Sequence, residues 1–359
     1  MNRQPNLETR RDFLKKSGLA AAALAFPFSA LPESLKDVPM GVVVHSYGIR
    51  FGSKVESQKY PAFKDAIDLM RHCKSIGAGG IQTTVGGWAE DFAKKVRDER
   101  EKLGMYLEGS IGMPKNSEDV SRFEKEVLMA KEAGVSVLRT VCLSGRRYEN
   151  FKSEEEWATF RENSLKSIQL AEPVVRKHQM KLAIENHKDW KAAELAQIIQ
   201  NLSSEWVGVT LDFGNNVSLL EEPMDVIRTL APFAFSTHVK DMGVKPFDKG
   251  FLLSEVPLGT GIVDLKEAVT LCQNHNPSVT FSLEMITRDP LEIPCLEDSY
   301  WTTFENPSAQ DLAKILRVVR DNTYPNSLPE VKNLNSEQRL AFEEENVVKC
   351  LEFSKANLL

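Results

Sequence analysis

The chain has few of the features that mark disulfide-rich, zinc-finger or nucleic-acid-binding proteins. Its 359 residues include only five cysteines, and these are widely spaced without a C-x-x-C pair, which argues against a disulfide framework or a cysteine zinc site. The formal net charge is −6, and no lysine- or arginine-rich face recurs, so binding to nucleic acid is not expected. Small neutral substrates suit this composition better.

Long apolar runs are also absent. The apolar stretch at residues 18–28 is too short for a bilayer core of about 30 Å, which takes roughly 20 residues, so no stable membrane span is expected in the mature chain. That stretch follows Arg10 and Arg11 in the sequence TRRDFLKK, which is a twin-arginine pattern. Residues 1–33 are therefore predicted to be a signal segment that directs the protein to the periplasm through the twin-arginine export machinery.

This localisation can be tested through the arginine pair. Replacing both residues with lysine, as Arg10→Lys and Arg11→Lys, keeps the positive charge but removes the feature that the export machinery reads. The precursor should then accumulate in the cytoplasm, which cell fractionation and immunoblotting would show. Normal export of the double variant would rule out the twin-arginine route.

Apolar and amphipathic stretches alternate along most of the chain. With 42% hydrophobic and 27% charged residues, the chain can bury one large core. Eight strand-like runs separated by helical stretches predict an α/β protein with a single (β/α)₈ TIM barrel over residues 38–321, and residues 322–359 are predicted to be a linker and a C-terminal helical extension. A doubly wound open sheet is the alternative, but no glycine-rich phosphate loop follows an early strand. The predicted strands lie at residues 40–46, 80–85, 105–110, 136–143, 181–186, 207–212, 234–240 and 279–285.

Four of the predicted strands end in residue types that ligate metals. The run KLAIENH contains Glu185, and the next two apolar runs end in Asp212 and near His238. The last predicted strand ends near Glu284. Because a parallel barrel presents the carboxyl ends of all its strands at one mouth, these four side chains are expected to converge on a single point.

These strand ends resemble the motifs of a known family. The xylose isomerase-like TIM barrels, the superfamily of sugar phosphate isomerases and epimerases, carry motifs similar to Ile184-Glu185-Asn186, Leu211-Asp212-Phe213-Gly214-Asn215, His238-Val239-Lys240-Asp241 and Leu283-Glu284. The turn Gly259-Thr260-Gly261 after the seventh strand matches a further element of the family. The resemblance implies a divalent cation held by Glu185, Asp212, His238 and Glu284, with the two glutamates also acting as acid and base.

This set of ligands suits a sugar isomerase or epimerase. Removing a proton from the carbon next to a carbonyl is slow unless the enediolate is stabilised, and a cation coordinated by two sugar oxygens supplies that stabilisation. Three carboxylates and one imidazole suit Mn²⁺ best, and Mg²⁺, Co²⁺ or Zn²⁺ less well. Glu185 and Glu284, on opposite sides of the barrel in strand order, are expected to address opposite faces of a bound sugar, so that one removes a proton and the other returns it.

Further polar residues near the predicted mouth are candidates for contacting the substrate. Glu108 and Arg139 are charged residues within strand patterns, where we expect them to pair with each other or to face the substrate. Asn215 stands where several members of the superfamily carry a histidine, which the trinuclear zinc endonucleases require, so DNA repair is disfavoured. The candidate substrate residues are His45, Glu108, Asn186, His187, Asn215 and Lys240, and the candidate sugar-stacking residues are Trp88, Trp190 and Trp301.

Two other functions are compatible with the same motifs. The enediolate leads to β-elimination when a leaving group such as a glycosidic oxygen sits on the next carbon, so a metal-dependent lyase acting on a keto-glycoside is the main alternative. The other is a non-catalytic sugar-binding barrel, although such a protein would have no need for both glutamates and the histidine. In each case the partner is a small carbohydrate.

Overall fold

Eight parallel strands close into a barrel in the computed structural model, which describes residues 38–359. The twin-arginine pair and the predicted signal segment at residues 1–33 lie outside the described residues. In chain order the strands are β1 (Gly41–Val43), β2 (Gly80–Thr84), β3 (Tyr106–Ser110), β4 (Val137–Thr140), β5 (Lys181–Glu185), β6 (Val207–Asp212), β7 (Ala234–Val239), β8 (Asp241–Phe247), β9 (Gly250–Val256), β10 (Thr280–Leu283) and β11 (Leu291–Ile293). The first seven and β10 form the barrel, and β10 closes onto β1.

The predicted barrel and the C-terminal helical segment are confirmed. Each predicted apolar run contains one barrel strand, although the first is shortened because Val44–Tyr47 turns into a 3₁₀-helix. In the described part of the chain, no helix is long and apolar enough to cross a membrane. The helices are α1 (Gly48–Phe51), α2 (Ala66–Ser75), α3 (Glu90–Leu103), α4 (Val120–Glu132), α5 (Arg147–Asn150), α6 (Glu154–His178), α7 (Ala192–Leu202), α8 (Pro223–Leu230), α9 (Leu265–His275), α10 (Ala309–Asp321) and α11 (Ser336–Asn357).

A small antiparallel sheet interrupts the alternation after β7. Strands β8 and β9 form a hairpin, and β11 adds to its free edge. The sequence pattern did not predict this sheet. Strands β8 and β9 lie between β7 and the helix that follows it, and β11 lies between β10 and the next helix, where loops were expected. The sheet carries Glu255 to the mouth of the barrel, where this carboxylate pairs with Arg288.

The Gly-x-Gly turn that follows β9 wraps around one buried carboxylate. The backbone N–H groups of Gly259 and Gly261 donate to Asp241 Oδ2 at 3.0 and 2.8 Å. Gly259 has a φ of 82°, a conformation that glycine adopts without strain. A side chain at Gly261 would collide with Asp241. The turn therefore serves to hold Asp241 and the start of β8.

Helix α11 braces segments at the mouth of the barrel. Its Glu343 accepts hydrogen bonds from the backbone N–H groups of Ile49 and Arg50, at 2.7 and 3.0 Å, just after β1. Its Asn346 donates to Thr287 Oγ1 at 2.9 Å, shortly after β10. The C-terminal segment is thus part of the structure that positions the loops after the first and last barrel strands.

Candidate metal centre and active site

Glu185, Asp212, His238 and Glu284 meet in one buried cluster. Each offers one ligand atom, and these four atoms all lie within 4.8 Å of one another. Glu185, Asp212 and His238 lie on β5, β6 and β7, and Glu284 directly follows β10; these four strands are neighbours in that order. Asp212 and His238 are register partners, and Glu284 donates its backbone N–H to Val239 O beside His238. The convergence expected from the strand ends is therefore present in the structure.

The two glutamates lie at the two ends of this cluster. Strands β6 and β7 separate β5, which carries Glu185, from β10, which precedes Glu284. The two side chains are therefore three strands apart in an eight-stranded barrel, and not directly opposite each other as the strand order first suggested. They flank the imidazole of His238 between them.

His238 directs one ring nitrogen into the cluster. Its Nδ1 lies 3.4 Å from Glu185 Oε2, 3.5 Å from Glu284 Oε1 and 3.9 Å from Asp212 Oδ2. This nitrogen is buried and makes no well-aligned hydrogen bond within residues 38–359. A buried polar atom without a partner is costly, and a cation among these ligands would satisfy it. The donor set fits a divalent metal ion.

Gln82 holds the other ring nitrogen of His238. Gln82 Oε1, which can only accept, lies 2.8 Å from His238 Nε2, so Nε2 carries a proton and Nδ1 is the ring nitrogen that is available to a cation in the cluster. Gln82 Nε2 donates to Glu108 Oε2 at 2.7 Å, which fixes the direction of the amide. Glu108 also accepts a hydrogen bond from the Thr280 hydroxyl. Glu108 therefore does not contact the cluster itself. It orients Gln82, which in turn orients His238.

Arg139 pairs with Glu185. Its Nε lies 2.5 Å from Glu185 Oε2, and Nη2 contacts the same oxygen. Burial alone would raise the pKa of Glu185, but Arg139 and His238 hold that pKa well below its usual range. The expected pair of Glu108 with Arg139 is wrong, because the carboxylate of Glu185 on the next strand satisfies the guanidinium instead.

Lys240 bridges two of the cluster carboxylates. Its Nζ lies 2.5 Å from Glu284 Oε2 and 2.8 Å from Asp212 Oδ2. Burial alone would raise the pKa of Glu284, but Lys240 and His238 hold that pKa well below its usual range. The pKa of Asp212 is raised, chiefly by burial, although Lys240 opposes this shift. Both flanking glutamates are therefore ionised at neutral pH.

Three of the six candidate substrate residues adjoin the cluster. His45 Nδ1 lies 3.0 Å from Glu284 Oε1, and its side chain is 44% exposed, so it stands between the cluster and solvent. Asn215 Nδ2 donates to Glu185 Oε1 at 3.0 Å. Lys240 is the third. These residues are within reach of a molecule bound at the cluster.

The other three take different places. The Asn186 amide donates to Asp212 O and accepts from Asp212 N–H, both at 2.8 Å, so it ties β5 to β6. Glu108 contacts Gln82 and not the cluster itself, as described above. His187 is neutral at physiological pH, because burial and the nearby Lys188 lower its pKa to about 3.

A surface cavity lies next to His45. Its volume is about 520 Å³, which is large enough for a monosaccharide. Of the three candidate stacking residues, only Trp88 lines this cavity, whereas Trp190 is buried among other aromatic rings. Other lining residues are Val44, Phe51, Lys64, Asp65, Thr83, Thr84 and Phe92.

Sequence reasoning did not identify several charged or polar residues of the mouth. Gln82 sits within an ordinary strand pattern, and its role depends on a contact with His238, which is 156 positions away in the chain. Lys188 follows the ENH motif in a loop, and its proximity to the motif was the one available signal. Glu255 on β9 and Arg288 in the loop after β10 pair through Oε1 and Nη2 at 2.5 Å, a contact between segments that are 33 positions apart in the chain.

Comparisons with known proteins agree with the barrel fold. A family model described as xylose isomerase-like TIM barrel matches residues 71–320, which is more than half of the chain. A 3-oxo-isoapionate decarboxylase from Pectobacterium atrosepticum is 26% identical over 203 residues, and the match covers 55% of this chain and 68% of that protein.

Solved structures show the same fold at low sequence identity. The structure of a D-psicose 3-epimerase in the presence of D-fructose has a TM-score of 0.58 at 14% identity, covering 89% of this chain and 99% of that one. The structure of a 3-keto-D-glucoside 4-epimerase from Escherichia coli has a TM-score of 0.52 at 13% identity, covering 79% of this chain and 99% of that one. At these identities the likeness extends to the fold alone.

Proposed function

The chain belongs to the xylose isomerase-like TIM barrel family, and from this premise we propose that it is a divalent-metal-dependent isomerase or epimerase acting on a sugar or keto sugar. One observation carries the proposal. Glu185 and Glu284 are ionised carboxylates that flank the unpartnered Nδ1 of His238. Relatives of this fold include proteins named as sugar epimerases.

The proposed reaction is proton transfer at the carbon next to a carbonyl. A divalent cation held by Glu185, Asp212, His238 and Glu284 would supply the positive charge that stabilises an enediolate; Mn²⁺ suits the three carboxylates and one imidazole best. One flanking glutamate removes the proton from carbon. The other returns a proton to the same carbon for epimerisation, or to the neighbouring carbon for isomerisation.

The surrounding residues orient the two glutamates for this work. Arg139 holds Glu185 through Oε2, and Asn215 donates to its Oε1. Lys240 holds Glu284 through Oε2, and His45 lies beside its Oε1. Fixed carboxylate positions favour proton transfer because less reorganisation is needed when the transition state forms.

A lyase acting on a keto-glycoside is the second candidate. Its first step is the same proton abstraction, followed by loss of an oxygen substituent from the next carbon. The observation in its favour is the ammonium of Lys240, which lies 2.5 Å from Glu284 Oε2, so that a charged hydrogen-bond donor able to stabilise a leaving oxygen adjoins the proposed base. The 26%-identical relative is named a 3-oxo-isoapionate decarboxylase, so a bond-cleaving activity is named among the relatives of this chain.

Proton exchange with solvent tests the shared first step. We would incubate the protein with Mn²⁺ and a panel of keto sugars and 3-keto-glycosides in D₂O and follow the substrates by NMR. Deuterium incorporation with inversion or isomerisation supports the first candidate, and release of an aglycone supports the second. Binding of the sugars without exchange or cleavage would contradict both enzymes and support a non-catalytic sugar-binding barrel.

Replacement of Gln82 should weaken the metal site without touching a ligand. In Gln82→Leu the Nε2–H of His238 loses its acceptor, so the ring is free to turn or to change tautomer. Loss of such a partner typically costs about 10- to 100-fold in metal affinity. Calorimetric titration with Mn²⁺ would measure it, with Gln197→Leu on the exposed face of α7 as the control. Equal Mn²⁺ affinity in Gln82→Leu and wild type would contradict this role.

A further inference from the structure

Lys188 differs from the other cationic side chains at the mouth. Arg139, Lys240 and Arg288 each pair with a carboxylate. Lys188 is only 4% exposed, yet within residues 38–359 its ammonium forms no ion pair with any carboxylate. Its hydrogen bond goes to the amide oxygen of Asn215. A buried cation that meets only a neutral partner is costly.

A second ammonium group shares the same amide oxygen. Lys240 Nζ lies 3.4 Å from Asn215 Oδ1, so two positive charges converge on one neutral atom. Burial, together with repulsion from Lys240, lowers the pKa of Lys188 to about 8. At neutral pH most of the Lys188 side chains remain charged, and the two carboxylates that oppose the lowering of its pKa, Glu255 and Asp212, are already paired with Arg288 and Lys240.

The backbone holds Lys188 in this place under strain. Its φ is 121°, a conformation that residues other than glycine rarely adopt and that persists mainly at binding and catalytic sites. The carbonyl of Lys188 accepts the backbone N–H of Arg147 at 2.9 Å, which fixes the loop. By contrast, Lys191 in the same loop has a φ of −63° and pairs with Asp311 at 3.5 Å.

We propose that Lys188 binds a carboxylate of the substrate, so that the enzyme acts on a sugar acid in preference to a neutral sugar. This rests on the proposed function and names the substrate class of the same site. The acidic composition of the chain favoured small neutral substrates. The distribution of charge inside the mouth points instead to an anion, because Lys188 is buried beside the cluster and has no carboxylate partner among residues 38–359.

The position of Lys188 fits a small substrate. Asn215 accepts the hydrogen bond of Lys188 through Oδ1 and donates through Nδ2 to Glu185 Oε1 at 3.0 Å. Only one amide group therefore separates the ammonium from the proposed acid-base carboxylate. A carboxylate at Lys188 and a reacting carbon beside Glu185 can belong to one molecule a few carbons long.

Matched pairs of ligands test the proposal by binding. We would titrate the Mn²⁺-loaded protein by calorimetry with D-glycerate and glycerol, D-gluconate and D-glucitol, and D-glucuronate and D-glucose. At least one acid should bind about 10- to 100-fold more tightly than its neutral partner, as expected for a hydrogen bond to a charged group. In Lys188→Gln this preference should fall to within a few-fold, whereas Lys191→Gln should retain it.

Thermal unfolding of the ligand-free protein gives a second readout. Lys188→Gln keeps a polar hydrogen-bond donor on a side chain one atom shorter and leaves φ equally strained, but removes an uncompensated buried charge, so its Tm should equal or exceed that of wild type. A lysine with a purely structural role would lower the Tm when replaced. The Tm comparison remains informative even if none of the tested ligands resembles the natural substrate.

The outcomes separate this proposal from the proposed function. If no acid binds more tightly than its neutral partner, if the preference survives in Lys188→Gln, or if this variant loses stability, Lys188 is not a carboxylate site. Deuterium exchange into a neutral sugar at equal rates in wild type and Lys188→Gln would also overturn it while leaving the isomerase intact. The opposite outcome is also informative. If no substrate exchanges deuterium, but the wild type binds acids selectively and Lys188→Gln does not, the proposed enzymatic function is contradicted and the carboxylate site at Lys188 is supported.

Discussion

Replacing Glu185 or Glu284 with glutamine should lower turnover by about 10²–10⁴-fold, the usual contribution of a positioned acid or base. Glutamine keeps the size of the side chain and one coordinating oxygen, but its amide cannot accept a proton at neutral pH. Both carboxylates are held ionised, Glu185 by Arg139 and Glu284 by Lys240. The loss should therefore appear in kcat and should persist when Mn²⁺ is raised.

Solvent exchange locates the loss in the proton-transfer step. The rate of deuterium incorporation at the substrate carbon should fall in Glu185→Gln and Glu284→Gln along with turnover. Glu221→Gln is a matched control, because Glu221 is a largely buried carboxylate that bonds to Asn216 and to a backbone N–H outside the cluster. If exchange continues at the wild-type rate in both site variants, neither glutamate is the base, and His187 or Lys240 would be examined next.

Loss of the metal should have the other large effect. His238→Ala removes the only nitrogen ligand of the cluster and should abolish stoichiometric Mn²⁺ binding, and with it the activity. Asp212→Asn keeps an oxygen but removes a negative charge, so it should weaken Mn²⁺ affinity first and regain part of its activity as Mn²⁺ is raised. This rescue separates Asp212 from the two glutamates, whose replacement is not expected to respond to added metal.

Metal binding should also release a proton. Although burial alone would lower the pKa of His238, Glu284 and Glu185 raise it to about 10 in the metal-free cluster. His238 is then protonated at pH 7, and a cation at Nδ1 must displace that proton. Mn²⁺ affinity should consequently rise as pH increases from 7 towards 9, and calorimetry in two buffers of different ionisation enthalpy would count the proton. Full metal retention in His238→Ala, or pH-independent affinity in wild type, would contradict this account.

Much of the site was predictable from single strand ends. Glu185, Asp212 and Glu284 close apolar runs, and parallel strands in a barrel all point their carboxyl ends to one mouth. Once eight alternating runs indicate the barrel, the convergence of these side chains follows from chain direction alone. The same reasoning located the candidate residues His45 and Asn215 close to the cluster, since both lie just beyond strand ends.

Contacts between distant segments decided the rest. The sequence pattern allowed Glu108 to pair with Arg139, yet Glu108 bonds to Gln82 and Arg139 to Glu185. Each choice depends on which side chain of a neighbouring strand lies at the same height in the barrel, and register is set by the packing of the whole sheet.

The sequence alone therefore determined the barrel, the end of the barrel at which the site lies and the metal-ligating residue types. Strand alternation and strand direction are local properties of the chain. Only the tertiary structure decided which nitrogen of His238 faces the cluster and that Lys188 has no carboxylate partner in the described part of the chain. Gln82 and His238 are 156 positions apart, and the isolation of Lys188 is a property of all the charges around it. Pairing and burial depend on three-dimensional neighbours, which a linear pattern does not specify.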